Sequence, residues 1–238
     1  MASGGRPVVA TAAPRRRGGR AVLLDVDGVL LDSMDAYQRA WAKWSLACGL
    51  DPDRVLELTP GRRPSDTIRA VAPDLDVSEE HRHLVRILAS EVAQVRAMPG
   101  AHELLRALPP ARWALVTSNT EAVVRRCFAH LGLTDPVLVV DAEAVTAGKP
   151  HPEGYLLAAM ALGAQPRDCL VVEDAPAGVE AARAAGMFVY AVNSNGARTL
   201  LRAADRIYES LAEAAPAVLG WAAQDDVSND QSNRTNSR

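Results

Sequence analysis

The chain has 238 residues, 48% of them apolar, 23% charged and only 4% aromatic, which excludes a mainly disordered or fibrous protein. That length fits one ordinary domain or a domain carrying an insertion, with a core of Ala, Val and Leu. Net charge is −3, but residues 1–20 hold five arginines and no acid, leaving 21 basic against 29 acidic residues, or −8, on the remainder; this argues against a nucleic-acid face on the folded part.

Residues 1–20, rich in Gly, Ala, Pro and Arg and without periodicity, are expected to form a disordered basic tail. Ala21–Val26 is a short apolar run that reads as a buried strand. From residue 34 to about 98 no strand candidate follows. Ser33 stands ahead of a helical Met34–Cys48, and Asp51-Pro52 supplies an N-cap and first-turn proline. Pro64 opens a segment ending near Pro73, Ser78 precedes a periodic stretch to Val95, and Pro99-Gly100 closes the region. Strands are then predicted at Trp113–Val116, Val137–Val140, Cys169–Val172 and Phe188–Val192. Helices are predicted at Glu121–Leu131, Glu153–Leu162 and Pro176–Ala185, followed by Gly132, Gly163 and Gly186. Residues 222–238 are expected to form a second, polar disordered tail. The alternation predicts an α/β fold, with a parallel sheet and crossover helices over 21–33 and 99–221. The helical insertion at 34–98 follows a strand's carboxyl end, so it lies over the crevice where such sheets bind ligands and is a candidate lid.

Cys48, Cys127 and Cys169 lie far apart and form no CxxC pair, which suits a reducing compartment. Cys127 is read as a packing residue. No apolar run approaches the roughly 18 residues a membrane span needs. After the arginine cluster, Ala21–Leu24 meets Asp25 and Asp27 at once, leaving no signal-peptide apolar region. A cytoplasmic protein with no membrane or nucleic-acid partner is expected, and a monomer.

The chemistry concentrates where strands end. Asp25-Val26-Asp27-Gly28 closes the first strand; alternation sends both carboxylates to one side, and Gly28 permits a sharp turn. Asp-Gly alone also reads as a turn cap. Glu173-Asp174 closes the fourth strand. In a parallel sheet both acidic pairs emerge at one edge, where unit charges 4 Å apart repel by about 4 kcal/mol at an effective dielectric of 20. Such a cluster requires a divalent cation, and its oxygen-only donors favour Mg²⁺. Thr117-Ser118-Asn119 runs from the second strand into a helix and suits an anion, though such a run also reads as a helix cap. Lys149 lies in Gly148-Lys149-Pro150-His151-Pro152, stiffened by two prolines. Carboxylates, a cation, hydroxyl donors and a lysine are what phosphoryl transfer requires.

These four segments, Asp25-Val26-Asp27-Gly28-Val29, Thr117-Ser118-Asn119, Lys149-Pro150 and Glu173-Asp174, occur in order and each at a strand end or loop. Together they resemble the motifs of the haloacid dehalogenase-like (HAD) superfamily of phosphotransferases, over about residues 21–220. The resemblance implies a Rossmann-like sheet core with an inserted helical C1 cap. It implies Asp25 as nucleophile forming an aspartyl-phosphate, and Asp27 as the acid that protonates the leaving alcohol and then the base for water. Thr117, Ser118, Asn119 and Lys149 are implied to bind the phosphoryl group. Asp25, Asp27 through its backbone carbonyl, and Asp174 are implied to hold Mg²⁺, with Glu173 near it directly or through water.

The segment Gly61-Arg62-Arg63-Pro64, together with Met98-Pro99-Gly100 and the loop around Lys149, is similar to sugar- and polyol-phosphate phosphatases, glycerol-phosphate and 2-deoxyglucose-6-phosphate phosphatases being the nearest types. A small phosphorylated metabolite is the implied substrate. Arg63 stands where that group carries a cap arginine and either contacts substrate or else caps a helix or faces solvent. The alternatives are a β-phosphoglucomutase-like mutase and a non-catalytic protein of the same fold. Against the mutase, the chain has Tyr37 where those enzymes carry His, and Thr120 where they carry Lys. No GxGxxG follows the first strand, which excludes a nucleotide-binding dehydrogenase.

Overall fold

The computed structural model describes residues 19–59, 62–196 and 198–224. Most of the two expected tails lies outside the described residues. From the amino end the elements are β1 (Ala21–Leu24), β2 (Leu31–Asp32), α1 (Met34–Ala47), α2 (Pro52–Leu56), α3 (Pro64–Val71), α4 (Val77–Glu91), β3 (Arg96–Ala97) and α5 (Ala101–Ala107). They continue with β4 (Trp113–Val116), α6 (Glu121–Leu131), β5 (Val139–Val140), α7 (Glu153–Leu162), β6 (Cys169–Glu173), α8 (Pro176–Ala184), β7 (Phe188–Val192), β8 (Arg206–Tyr208) and α9 (Leu211–Ala222).

Six strands form one parallel sheet in the order β5-β4-β1-β6-β7-β8. β1 is central, with Val22 opposite both Trp113 and Leu170. β1, β4 and β6 are buried throughout, because crossover helices cover both faces of a parallel sheet. Alternate residues feed two cores. Val22 and Leu24 join Trp113, Phe128 and Val218 on the α5, α6 and α9 side. Leu23 joins Tyr155, Val171 and Val179 on the α7 and α8 side.

Helices α1 to α4 build a third apolar cluster of their own, centred on Trp41, Trp44, Ile68 and Leu84. On α1 the buried positions Ala36, Ala40, Trp41, Trp44 and Ser45 fall on one helical stripe. The indoles of Trp41 and Trp44 meet edge to face at 5.3 Å. Asp51 caps α2 as its sequence predicts, accepting from the Asp53 amide at 3.0 Å. For α4 the cap is Asp76, not Ser78; the aspartate accepts from the Glu79 amide while the backbone is still extended.

Several parts depart from the sequence reading, α5 among them, for which no helix is predicted. The stretch 34–98 is not free of strand: Arg96–Ala97 pairs antiparallel with Leu31–Asp32. This two-residue ladder is too short for any periodicity, and it ties together the two crossings between the sheet and the α1–α4 cluster. β8 is a sixth strand at the sheet edge, with Ile207 as its only aliphatic residue. Helix α9, on the same face as α5 and α6, contains Pro216, which breaks the sequence signal for a helix. Among the described residues, no helix is long and apolar enough to cross a membrane.

Candidate active site

Because β1, β4 and β6 are adjacent and parallel, their carboxyl ends deliver Asp25, Thr117 and Glu173-Asp174 to one edge. Asp25 follows β1 directly and is fixed by its amide, which donates to the Val172 carbonyl at 3.0 Å. The chain then turns at Gly28, whose φ is +80°. A Cβ there would sit 2.0 Å from Asp174 Oδ2, so both the turn and the approach of the second acidic pair require glycine.

Lys149 reaches this edge from the loop after β5, and its side chain is 8% exposed. Its Nζ donates to Asp25 Oδ1 at 2.6 Å, to Glu173 Oε1 at 2.5 Å and to the Val116 carbonyl at 3.3 Å. Glu173 is wholly buried. Its Oε1 also accepts from the Tyr155 hydroxyl at 2.9 Å, and its Oε2 accepts from the Asp174 and Ala175 amides, both at 2.9 Å. Asp174 Oδ2 accepts from Ser194 at 3.2 Å and Asn195 at 2.6 Å. Asp27 Oδ1 accepts from the Ser33 hydroxyl at 2.6 Å. Ser33 precedes α1 but makes no cap bond; its hydroxyl serves Asp27 instead.

The Thr117-Ser118-Asn119 run after β4 behaves likewise. Thr117 Oγ1 accepts from the Asn119 amide at 3.0 Å, which leaves its own proton for an acceptor in the cavity. Asn119 Oδ1 accepts from the Thr120 amide. The α6 amino end is capped from outside the run, by Asp141, which accepts from the Glu121 amide at 2.8 Å.

The electrostatics follow from burial. Desolvation lifts the Asp25 carboxyl well above its usual range, with Lys149 opposing and Glu173 and Asp174 adding to the rise. Burial works against the charge of Lys149, but Asp25 and Glu173 outweigh it and hold the ammonium high. Asp27 is raised by desolvation, against the hydrogen bond from Ser33. Asp174 is raised to about 7, first by burial and then by Glu173. One carboxylate oxygen each from Asp25, Glu173 and Asp174 lies within 4.8 Å of the others. Lys149 bonds to Asp25 and Glu173 but not to Asp174, so negative charge is left over. An all-oxygen donor set with surplus buried charge fits a hard divalent cation.

Asp25, Asp27, Ser118, Lys149, Glu173 and Asp174 line one cavity of about 110 Å³, together with Tyr37, Arg62 and Asn195. Thr117 lines the adjoining recess with Ser118 and Lys149, and Asn119 lines a third with Asp27 and Tyr37. Arg63 lines the recess that holds Thr117, Ser118 and Lys149. Its guanidinium is bonded to Asp66 and to the Val145 carbonyl, and the arginine in the acidic cavity is its neighbour Arg62. Cys127 is buried, with its thiol pushed up to about 11 by desolvation, as a packing residue would be. Sequence reasoning missed Tyr155, Ser194 and Asn195. A tyrosine in the apolar run of α7 looks like core. Ser194-Asn195 follows β7 at the same sheet edge, and the strand-end logic that found the other motifs could have found it.

A family model for haloacid dehalogenase-like hydrolases matches residues 20–186. Hexitol phosphatase A of Escherichia coli is 41% identical over 197 residues, covering 81% of this chain and 91% of that protein. Glycerol-1-phosphate phosphohydrolase 2 of Saccharomyces cerevisiae is 35% identical over 182 residues, covering 70% of this chain and 71% of that protein. Among solved structures, CbbY of Rhodobacter sphaeroides in complex with phosphate matches with a TM-score of 0.69 at 25% identity, covering 84% of this chain and 99% of that one.

Proposed function

The chain belongs to the haloacid dehalogenase-like hydrolase family, and from that premise we propose that it is a cytoplasmic, magnesium-dependent phosphatase that hydrolyses a small sugar or polyol phosphate through an aspartyl-phosphate. The observation that carries this reading is that two carboxylates two residues apart line one cavity with different partners. Asp25 is bonded to the Lys149 ammonium, and Asp27 to the Ser33 hydroxyl. Burial raises both carboxyls; at Asp25 the bonded ammonium opposes the rise, and a divalent cation there would oppose it further. Asp27, desolvated and without a bonded cation, is the one suited to carry a proton.

In this reading Asp25 attacks phosphorus, and the bond from phosphorus to the ester oxygen breaks as the new one forms. Asp27 gives its proton to the departing alkoxide. It then takes a proton from water, which attacks the phosphoryl group, releases phosphate and restores Asp25. Lys149 and the Thr117 hydroxyl hold the phosphoryl oxygens, with Ser118 and Asn119 beside them. Magnesium, held by Asp25, Asp174 and the Asp27 carbonyl, would supply further neutralisation of phosphoryl charge. Glu173, its oxygens already engaged by four donors, serves first to orient Lys149. The α1–α4 cluster acts as the cap. Sugar and polyol phosphates are proposed because the relatives above are named for hexitol and glycerol-1-phosphate hydrolysis.

The test is phosphate release from a panel of sugar, polyol and p-nitrophenyl phosphates. Release is expected with magnesium and lost with chelator or on Asp25→Asn. An inert protein across the panel contradicts the reading, and an isomerised phosphosugar with little free phosphate would establish the mutase instead.

A further inference from the structure

Arg63 stands at the amino end of α3, in the helical cluster, with its side chain 14% exposed. Its Nε and Nη2 donate to the two oxygens of Asp66 at 2.7 and 3.0 Å. This bidentate fork fixes the plane of the guanidinium, and Arg69 donates to the same carboxylate at 3.0 Å. Nη1 of Arg63 is thereby aimed across to the core, where it donates to the Val145 carbonyl at 3.0 Å, 82 residues away in sequence.

The arginine stem rests on Gly148. A Cβ on that glycine would come 2.7 Å from Arg63 Cγ and 2.8 Å from Cδ. Gly148 is not among the glycines with positive φ, so its backbone does not demand glycine; the space taken by Arg63 does. Val145 and Gly148 bracket the stretch that immediately precedes Lys149. The other side of that stretch is fixed by Glu153, whose carboxylate accepts from the Thr146 and Ala147 amides, both at 2.9 Å.

We propose that Arg63, oriented by Asp66, is a positioning residue. It docks the helical cluster onto the Val145–Gly148 stretch and so holds the Lys149 ammonium between Asp25 and Glu173. The inference rests on the phosphatase reading of Lys149. It makes closure of the cluster and placement of the catalytic lysine a single event, and it explains why Arg63 adjoins the site without entering the acidic cavity.

The test compares wild type with Arg63→Ala, Arg63→Lys and Gly148→Ala on two esters, glycerol phosphate and p-nitrophenyl phosphate, with magnesium saturating. A misplaced lysine slows transfer whatever alcohol leaves, so Arg63→Ala lowers kcat on both esters by the same factor, about 10- to 100-fold. Arg63→Lys rescues little, since an ammonium cannot bond Asp66 as a fork while reaching Val145. Gly148→Ala gives a smaller loss in the same direction and adds nothing to Arg63→Ala, because the two changes break one contact. Hydrogen exchange at the Thr146 and Ala147 amides rises in each variant. A loss confined to KM for glycerol phosphate, with kcat on p-nitrophenyl phosphate unchanged, makes Arg63 a substrate ligand and overturns the proposal. Unchanged exchange at those two amides overturns it as well. Should Arg63→Ala not fold, Gly148→Ala alone carries the same prediction. If wild type releases no phosphate from either ester, the phosphatase reading fails, while the exchange measurement still decides whether Arg63 holds the loop.

Discussion

Glu173 sits at the carboxyl end of β6 with no exposed surface and bonds to an ammonium, a phenol and two backbone amides. Each donor suits an ionised carboxylate, so Glu173→Gln turns an amide N–H₂ toward at least one of them. That change should cost about 2–3 kcal/mol or more, since it leaves buried groups unpaired, and it should release Lys149, so urea unfolding and kcat fall together. Gly178, inside α8, makes a sharper case. Glycine within a helix normally gains about 0.5–1 kcal/mol on change to alanine. Here a Cβ would lie 1.6 Å from Glu173 Oε1, so Gly178→Ala is expected to destabilise and to reduce activity; an alanine variant as stable and active as wild type would refute that placement of Glu173. Asp174 supplies a pH dependence. Its folded carboxyl is raised to about 7 against about 3.9 in an unfolded chain. The metal-free folded state therefore binds the extra proton in that interval, and its stability falls as pH rises from about 4 to 7. A cation must displace the same proton. Magnesium should bind more weakly at pH 6 than at pH 8, and its stabilisation of the protein, read as a shift in Tm, should be largest at the higher pH.

At the level of elements, what the sequence reveals depends on how each segment is buried. β1, β4 and β6 are legible because strands covered on both faces are continuous apolar runs, and β7 because its run Phe188–Val192 is apolar although one face is partly open. The start of β5 is misread because Val137, apolar but 65% exposed, lies outside the ladder that begins at Val139. β8 and the β2–β3 ladder hold too few residues for any pattern, and α9 is obscured by Pro216. The acidic strand ends were legible because two acids after an apolar run have no packing role. The supporting groups, Tyr155, Ser33 and Asn195, were not, because a core tyrosine and polar loop residues look alike whether or not a carboxylate waits for them. The helical cluster stands on its own apolar centre, so a prediction belongs to it too. Trp44 is wholly buried and its indole donates to Glu80 at 2.8 Å. Trp44→Ala should cost about 3–5 kcal/mol in chemical denaturation, far more than an exposed change such as Leu46→Ala, at 69% exposure.

Across the whole molecule, the sheet order makes the site. β1 pairs with β4 on one side and β6 on the other, so the chain departs in opposite directions at that point and leaves a crevice at the carboxyl edge. Segments as distant as Asp25, Thr117, Lys149 and Asp174 meet there, with the α1–α4 cluster bringing Tyr37 and Arg62 to the same cavity. The most direct measurement of whether this crevice performs two-step phosphoryl transfer is rapid quenching of a turnover with phosphorus-labelled substrate, followed by mapping of the label. Two-step transfer through Asp25 predicts transient, hydroxylamine-labile label on the peptide carrying Asp25, absent from Asp25→Asn. Phosphate release with no labelled protein at any time, or with the Asp25→Asn variant as fast as wild type, would contradict it.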